Sequence, residues 1–407
     1  MSKPCGSDSD EAGETTLLTF TIRRLLSIPP LILVVSLLTF LLLKTAPGDF
    51  YSQQEADPAR SLTEVLRQKE SAGLLHRLNP SQLEALGEFT DEGATWSFRD
   101  VGDKIPTILQ DGIIVEHRLA SRSLLNFQVG STRYQCDDEG VVYRKVGPIE
   151  GFFSWFFNAL SGDFGRSYKF NRPVFGIIAE RLWNTLTLSI AALVIAYGLG
   201  VPLGVFAAVK PNSPIDHTAG IFAFIGLSVP TVFSALLAVL FATYSGLFPI
   251  GDMRSLDYHQ LSFWGKIGDR IHHLVLPAIV LGTSAMAGYM RQARGNMIEA
   301  LGQDYVRTAR AKGVPHTGVL FKHAFRNAVN PLITMFGYSL ASLLSGSLLV
   351  EIVMNWPGLG RLVFEAISAK DEPLVLASVL ISTLLLVFGN LVADLLLALV
   401  DPRVRLS

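Results

Sequence analysis

Six stretches of this chain contain no Asp, Glu, Lys, Arg or His: Leu25–Leu43, Leu182–Val209, Thr218–Leu247, Leu274–Met290, Asn327–Val350 and Leu374–Ala393. A helix needs about 20 apolar residues to cross the hydrocarbon of a bilayer, so each stretch predicts a transmembrane span. The shortest, Leu274–Met290, is extended by Arg291 and Arg294, whose apolar stems let the charged heads snorkel to water. Composition agrees. Only 17% of the 407 residues are charged, against about 25% in a soluble domain. A net charge of -1 argues against a nucleic-acid binder, and 49% hydrophobic residues argue against disorder. The expected fold is an all-α polytopic membrane protein with six spans.

Orientation follows from Lys and Arg in the short loops. Residues 291–326 carry Arg291, Arg294, Arg307, Arg310, Lys312, Lys322 and Arg326 against Glu299 and Asp304, which places that loop in the cytoplasm. Six spans then put both termini inside, in agreement with Arg23, Arg24, Arg403 and Arg405. Residues 49–150 fall outside, with 17 acidic and 11 basic residues. Val141-Val142-Tyr143 and Gly112–Val115 read as short strands, so a small extracytoplasmic α+β insert is expected between the first two spans. An aromatic run (Phe152, Phe153, Trp155, Phe156, Phe157) predicts a helix lying in the interface plane. Cys5 and Cys136 fall on opposite sides of the membrane and are not expected to pair, and no cleavable signal is expected in the polar residues 1–22. The resulting division is a cytoplasmic tail 1–22, a first span 23–45, an external segment 46–180, a five-helix core 181–400 with a cytoplasmic loop 298–326, and a cytoplasmic tail 401–407.

The spans lack the ionisable groups that ion-coupled carriers use to bind and release their coupling ion. A nucleotide-binding loop and the His-Glu-x-x-His and Gly-x-Ser-x-Gly signatures are absent as well, so uphill transport needs energy from another polypeptide. The most informative segment is Asp304–Gly313. Asp304 is a good N-cap, Lys312 suits the last turn and Gly313 suits the C′ position, which predicts a helix of about eight residues. Too short to be stable alone, it combines Ala309, Ala311 and Gly313 with Arg307 and Arg310, a surface suited to a partner's groove. A basic connector that merely satisfies the charge rule stands beside this reading.

The run Asp304-Tyr305-Val306-Arg307-Thr308-Ala309-Arg310-Ala311-Lys312-Gly313, followed by His323-Ala324-Phe325-Arg326-Asn327-Ala328 and Pro331, resembles the permeases of dipeptide, oligopeptide and nickel ATP-binding-cassette (ABC) importers. It looks like the importer "EAA" loop, with Arg307 where the general pattern has Glu and Pro331 displaced downstream. Gly162-Asp163-Phe164-Gly165-Arg166-Ser167, Glu180-Arg181-Leu182 with Thr185-Leu186, and Trp356-Pro357-Gly358-Leu359-Gly360-Arg361 match the same family. The loop Gly251–His273 resembles that of Yej-type peptide importers.

The resemblance covers about residues 20–50 and 150–405, and leaves the insert 50–150 outside it. It implies a type I ABC importer permease core that works by alternating access. The cargo implied is a peptide or related small solute delivered by an extracytoplasmic binding protein. Arg307, Thr308, Ala309, Arg310 and Gly313 would contact the ATPase, while His323, Arg326 and Asn327 would brace the loop. The implied partners are a second homologous permease and two ATPase subunits that hold ATP and Mg; this chain would bind no cofactor, metal or nucleic acid and catalyse nothing. Two rival classes stand beside this: a passive channel, which too needs no intramembrane charge, and a membrane-embedded enzyme, which would need a nucleophile–base pair at membrane depth, where no His lies.

Three further features have plain structural readings. Gly198, Gly200, Pro202, Gly204, Pro230, Pro277, Pro331, Gly337 and Gly346 punctuate the spans as close-packing residues, and as a group they suggest that spans two to five line the pathway. Trp356-Pro357-Gly358 reads as an external turn. His272 and His273, adjacent on a helix and so about 100° apart, read as interface histidines rather than a metal pair.

Overall fold

The computed structural model describes residues 8–45, 48–56, 61–79, 81–82, 86, 89–91, 94–99, 107–110, 113–114, 126–129, 132–137, 141–344 and 348–400. Cys5, Gly346, the tail 401–407 and parts of the insert lie outside them. The chain forms two compact units, residues 1–36, 176–365 and 378–407 in one and residues 37–175 and 366–377 in the other.

The larger unit is helical. It is built on α5 (Val174–Val209), α6 (Pro214–Ser228), α7 (Thr231–Ser245) and the 40-residue α8 (Phe263–Gly302), with α12 (Asn330–Leu344), α13 (Leu348–Val353), α14 (Leu359–Ser368) and most of α15 (Glu372–Val400). The first helix, α1, runs Asp8–Thr45 and so begins inside the stretch expected to be a tail. Among the described residues four helices are long and apolar enough to cross a membrane.

The expected span Thr218–Leu247 is instead two helices bent by 101°. The cause is local. Pro230 offers no N–H and disfavours the helical region for the residue before it, and Val229 is extended (φ -87°, ψ 119°). The two ends of the bent pair meet well-separated levels of α8. Asp216, at the start of α6, pairs with Arg294, whereas Leu247 O, just past α7, lies 2.8 Å from His272 Nε2. Those two partners sit 22 residues apart on α8, about 33 Å of helix and close to the hydrocarbon thickness. The stretch Asn327–Val350 is also segmented, into α11 (Arg326–Ala328), α12 and α13, with Pro331 in the first turn of α12, where a missing N–H costs nothing.

Small residues let α5 and α8 touch backbone to backbone. A Cβ on Gly200 would lie 2.9 Å from Met286 O, one on Gly282 would lie 2.8 Å from Ile195 Cβ, and one on Gly204 would overlap Met290 O. A Cβ on Gly198 would meet nothing within 4 Å, so the close-packing reading holds for part of the set; the surroundings of Gly337 lie outside the described residues.

In the smaller unit, α3 (Leu62–Ser71) packs on an antiparallel sheet of order β1-β8-β7-β6, comprising Leu75–Arg77, Val142–Lys145, Thr132–Cys136 and Asn126–Val129. Its core holds Leu62, Leu66, Leu75, Tyr134, Cys136, Val142 and Tyr143. A second sheet orders Phe89–Asp91, Ala94–Arg99, Thr107–Gln110 and Ile113–Ile114 as β2-β3-β4-β5. Both strands expected from sequence are present, and the insert is α+β. The buried ammonium of Lys69 bridges Asp49 (3.0 Å) and Glu55 (2.6 Å). The aromatic run forms α4 (Pro148–Leu160), whose Phe152 packs with Phe40 and Leu376.

Candidate docking site

The basic loop folds against the end of α8. Its eight-residue helix, α9, spans Asp304–Ala311. Gln303, extended at φ -74° and ψ 151°, is the N-cap, so Asp304 is the first helical residue rather than the cap expected from sequence. Its carboxylate still faces the positive end of the helix dipole, with Arg307 Nη1 3.5 Å away. The far end follows expectation. Gly313 is left-handed (φ +76°), its N–H donates to Arg310 O and the Val314 N–H donates to Ala309 O, the paired bonds of a Schellman cap.

Val306 and Ala309, three residues apart, turn inward. They join Val205 and Ala208 of α5, Met297 and Ala300 of α8, and Val319, Leu320, Ala324 and Ala328 in one buried cluster, with Val314 packed against it. Ala309 is therefore a core residue: of the five positions assigned to the ATPase contact, it faces its own chain. Arg307, Thr308, Arg310 and Gly313 are exposed, as are Ala311 and Lys312, and no atom lies within 4 Å of a Cβ built at Gly313. The face turned to solvent carries three cations, the hydroxyls of Tyr305 and Thr308 and no carboxylate after Asp304. It can hold a surface, not perform a reaction.

Beyond the cap, residues 319–325 wind as a π-helix into α11. His323 O accepts from Asn327 Nδ2 at 3.5 Å, while Arg326 and Asn327 are exposed. The firmer brace comes from α8, where Asn296 Nδ2 donates to Ala328 O at 3.1 Å. A second brace was also missed from sequence. Arg294 forks onto the buried Asp216, Nε to Oδ1 at 2.5 Å and Nη2 to Oδ2 at 2.7 Å, and the Ser213 hydroxyl caps α6 through Asp216 N. The only hint in sequence was a capping Ser three residues before an acid in an otherwise apolar region.

At the opposite end of the unit, Trp356-Pro357-Gly358 is more than a turn. Trp356 Nε1 donates to Asn184 O, and Asn184 Nδ2 returns a bond to Pro357 O. The fully buried Glu351 accepts from Thr185 Oγ1 (3.1 Å) and Arg361 N (2.9 Å), and Leu359 N donates to Thr185 Oγ1 (2.7 Å). A Cβ on Gly358 would overlap the Glu351 carboxylate. Between the two ends, Tyr197, Val201 and Pro202 of α5 and Val329, Leu332, Ile333 and Phe336 around α12 line an apolar cavity of about 420 Å³.

A family model described as "Binding-protein-dependent transport system inner membrane component" matches residues 200–406, the part holding α8, α9 and Glu351. The oligopeptide transport system permease protein AppB of Bacillus subtilis is 43% identical over 62% of this chain and 79% of its own length. The dipeptide transport system permease protein DppB of Escherichia coli is 38% identical over 62% of this chain and 80% of its own length. A chain of the MetNI methionine ABC transporter in an inward-facing form, 16% identical, covers 56% of this chain and 97% of its own with a TM-score of 0.42. Half of the sequence under the family model, and two permeases matched over most of their length, place this multi-pass membrane chain in the family of inner-membrane components of binding-protein-dependent transport systems.

Proposed function

We propose that this chain is the permease subunit of an ATP-driven importer that takes peptides from an extracytoplasmic binding protein and passes them to the cytoplasm by alternating access. The observation that carries this is α9: a short helix anchored by Val306 and Ala309 to the ends of α5 and α8, with Arg307, Thr308, Arg310 and Lys312 all presented outward. A surface built this way passes a push from a partner into two membrane helices. The partner is an ABC ATPase, present twice, each copy engaging one of two homologous permeases and holding the ATP and Mg. This chain hydrolyses nothing. Both termini lie on the ATPase side and the insert on the side of the binding protein. Peptide cargo is supported by relatives that carry oligopeptide and dipeptide transport in their names.

The test is co-purification of the ATPase subunits with the tagged chain in mild detergent, comparing wild type with Arg307→Glu/Arg310→Glu. Both side chains are exposed, so the paired variant should fold yet lose the ATPases and peptide-stimulated ATP hydrolysis. Full retention of both in the variant overturns the assignment of α9 as the coupling element.

A further inference from the structure

At the end of α8 opposite the docking helix, three cations gather on one aromatic ring. The centroid of the buried Tyr258 ring lies 5.0 Å from Arg254 Cζ, 5.3 Å from Arg270 Cζ and 5.8 Å from Lys266 Nζ. The ring attracts cations through its quadrupole but carries no net charge, so it gathers them without neutralising them. The loop's carboxylates do not neutralise them either. Asp252 takes Asn355 Nδ2, and Asp269 takes Ser255 N at 3.1 Å and faces His273 Nδ1 at 3.5 Å. Among the described residues neither these nor Asp257 forms an ion pair with Arg254, Lys266 or Arg270.

Beside the cations, Phe263, Trp264, Ile267 and Ile271 of α8 are exposed, Trp264 to 78%. At 100° per residue these four share one arc of the helix, and Lys266 and Arg270 flank it directly. The same helix then runs uncharged from Leu274 to Met290, about 26 Å, so the cations stand one to two turns above the start of the hydrocarbon. That is the depth of lipid phosphates, and aromatic residues at that depth form the interfacial belt of membrane proteins.

We propose that Arg254, Lys266 and Arg270, gathered on Tyr258, hold the headgroup of an anionic phospholipid whose acyl chains descend past Ile267 and Ile271 toward the uncharged stretch that begins at Leu274. Charge complementarity calls for an anion, and the adjoining apolar arc makes that anion a lipid. An acidic protein surface would pair the cations but leave Ile267 and Ile271, exposed on the hydrocarbon side of them, uncovered.

The full chain, reconstituted in nanodiscs of phosphatidylcholine with a minority of phosphatidylglycerol and released into detergent, reports the lipids it retains by native mass spectrometry. Wild type should keep phosphatidylglycerol in preference to phosphatidylcholine. Arg254→Gln/Arg270→Gln should lower that preference on the order of fivefold per cation removed, and Arg254→Lys/Arg270→Lys should restore it. The preference of wild type should also fall as NaCl rises, a readout that needs no variant. An unchanged preference in the Gln pair, or insensitivity to salt in wild type, overturns the proposal. So does a Gln pair that keeps phosphatidylglycerol but no longer captures the system's substrate-binding protein, since the surface would then dock protein.

Discussion

Replacing Thr185 with Val removes one hydroxyl from a site where it works in both directions. Thr185 Oγ1 donates to Glu351 across 166 residues of sequence and accepts from Leu359 N across 174. The side chain is 1% exposed and Val has nearly the same shape, so neither a cavity nor a clash accompanies the loss. A hydrogen bond to a carboxylate is worth about 1.5–3 kcal/mol, and a buried N–H left without a partner costs about 1–3 kcal/mol. Arg361 N still serves the other Glu351 oxygen, which limits the damage. The expected loss is about 3–5 kcal/mol, a large part of a typical stability of about 5–15 kcal/mol. At about 2–4 °C per kcal/mol for a unit of this size, the midpoint should fall by roughly 6–20 °C. Heating the detergent-purified chain and following its monodisperse fraction measures this. Thr185→Ser, which keeps the hydroxyl, should lie much nearer wild type. If Thr185→Val melts within about 2 °C of wild type, or if Ser and Val fall together, the hydroxyl is not what holds Glu351.

Three other outcomes are expected. Gly204→Ala sets a Cβ against Met290 O and 2.8 Å from Ala293 Cβ, so it should cost about 1–3 kcal/mol by the same melting assay. Lys69→Met leaves Asp49 and Glu55 without their shared cation and should destabilise the smaller unit by about 3–5 kcal/mol, read from loss of protease resistance in the insert. Burial works against the charged form of Asp49, but the charge and hydrogen bond of Lys69 outweigh it and hold the carboxyl below its usual value. A depressed folded value stabilises above the unfolded pKa and loses that contribution as pH falls through the folded one. Insert stability should therefore hold down to about pH 4 and then drop, and Asp49→Asn should flatten that drop; an identical acid profile in the variant refutes the assignment.

Local chemistry made the ends of α9 legible. Gly313 was readable as a left-handed C′ residue because few other residues accept that conformation without strain, and the short strand at Val142 was readable from its β-branched run. What failed was whatever depended on a distant partner. Asp304 looked like a cap because nothing in sequence says that Gln303 is the residue held extended. Ala309 looked like contact surface because its inward turn is set by Val205 and Met297, roughly a hundred and roughly a dozen residues away. The Asp216–Arg294 fork and the Glu351 network join positions 78 and 166 or more residues apart, which no local pattern encodes. Pro230 announced a break, but not that it would turn the chain by 101°.

That break has a dielectric consequence. Where α6 stops and α7 starts, the last carbonyls of one helix and the first amides of the other lack partners within their own helices. They meet midway between the levels of Arg294 and His272, with the hydroxyls of Thr231 and Ser284 3.2 Å apart beside them. Hydrocarbon cannot accept such groups, so they must face protein or water. The negative end of one helix dipole and the positive end of the next thus stand together at mid-depth, giving a polar but uncharged patch in spans that carry no ionisable side chain.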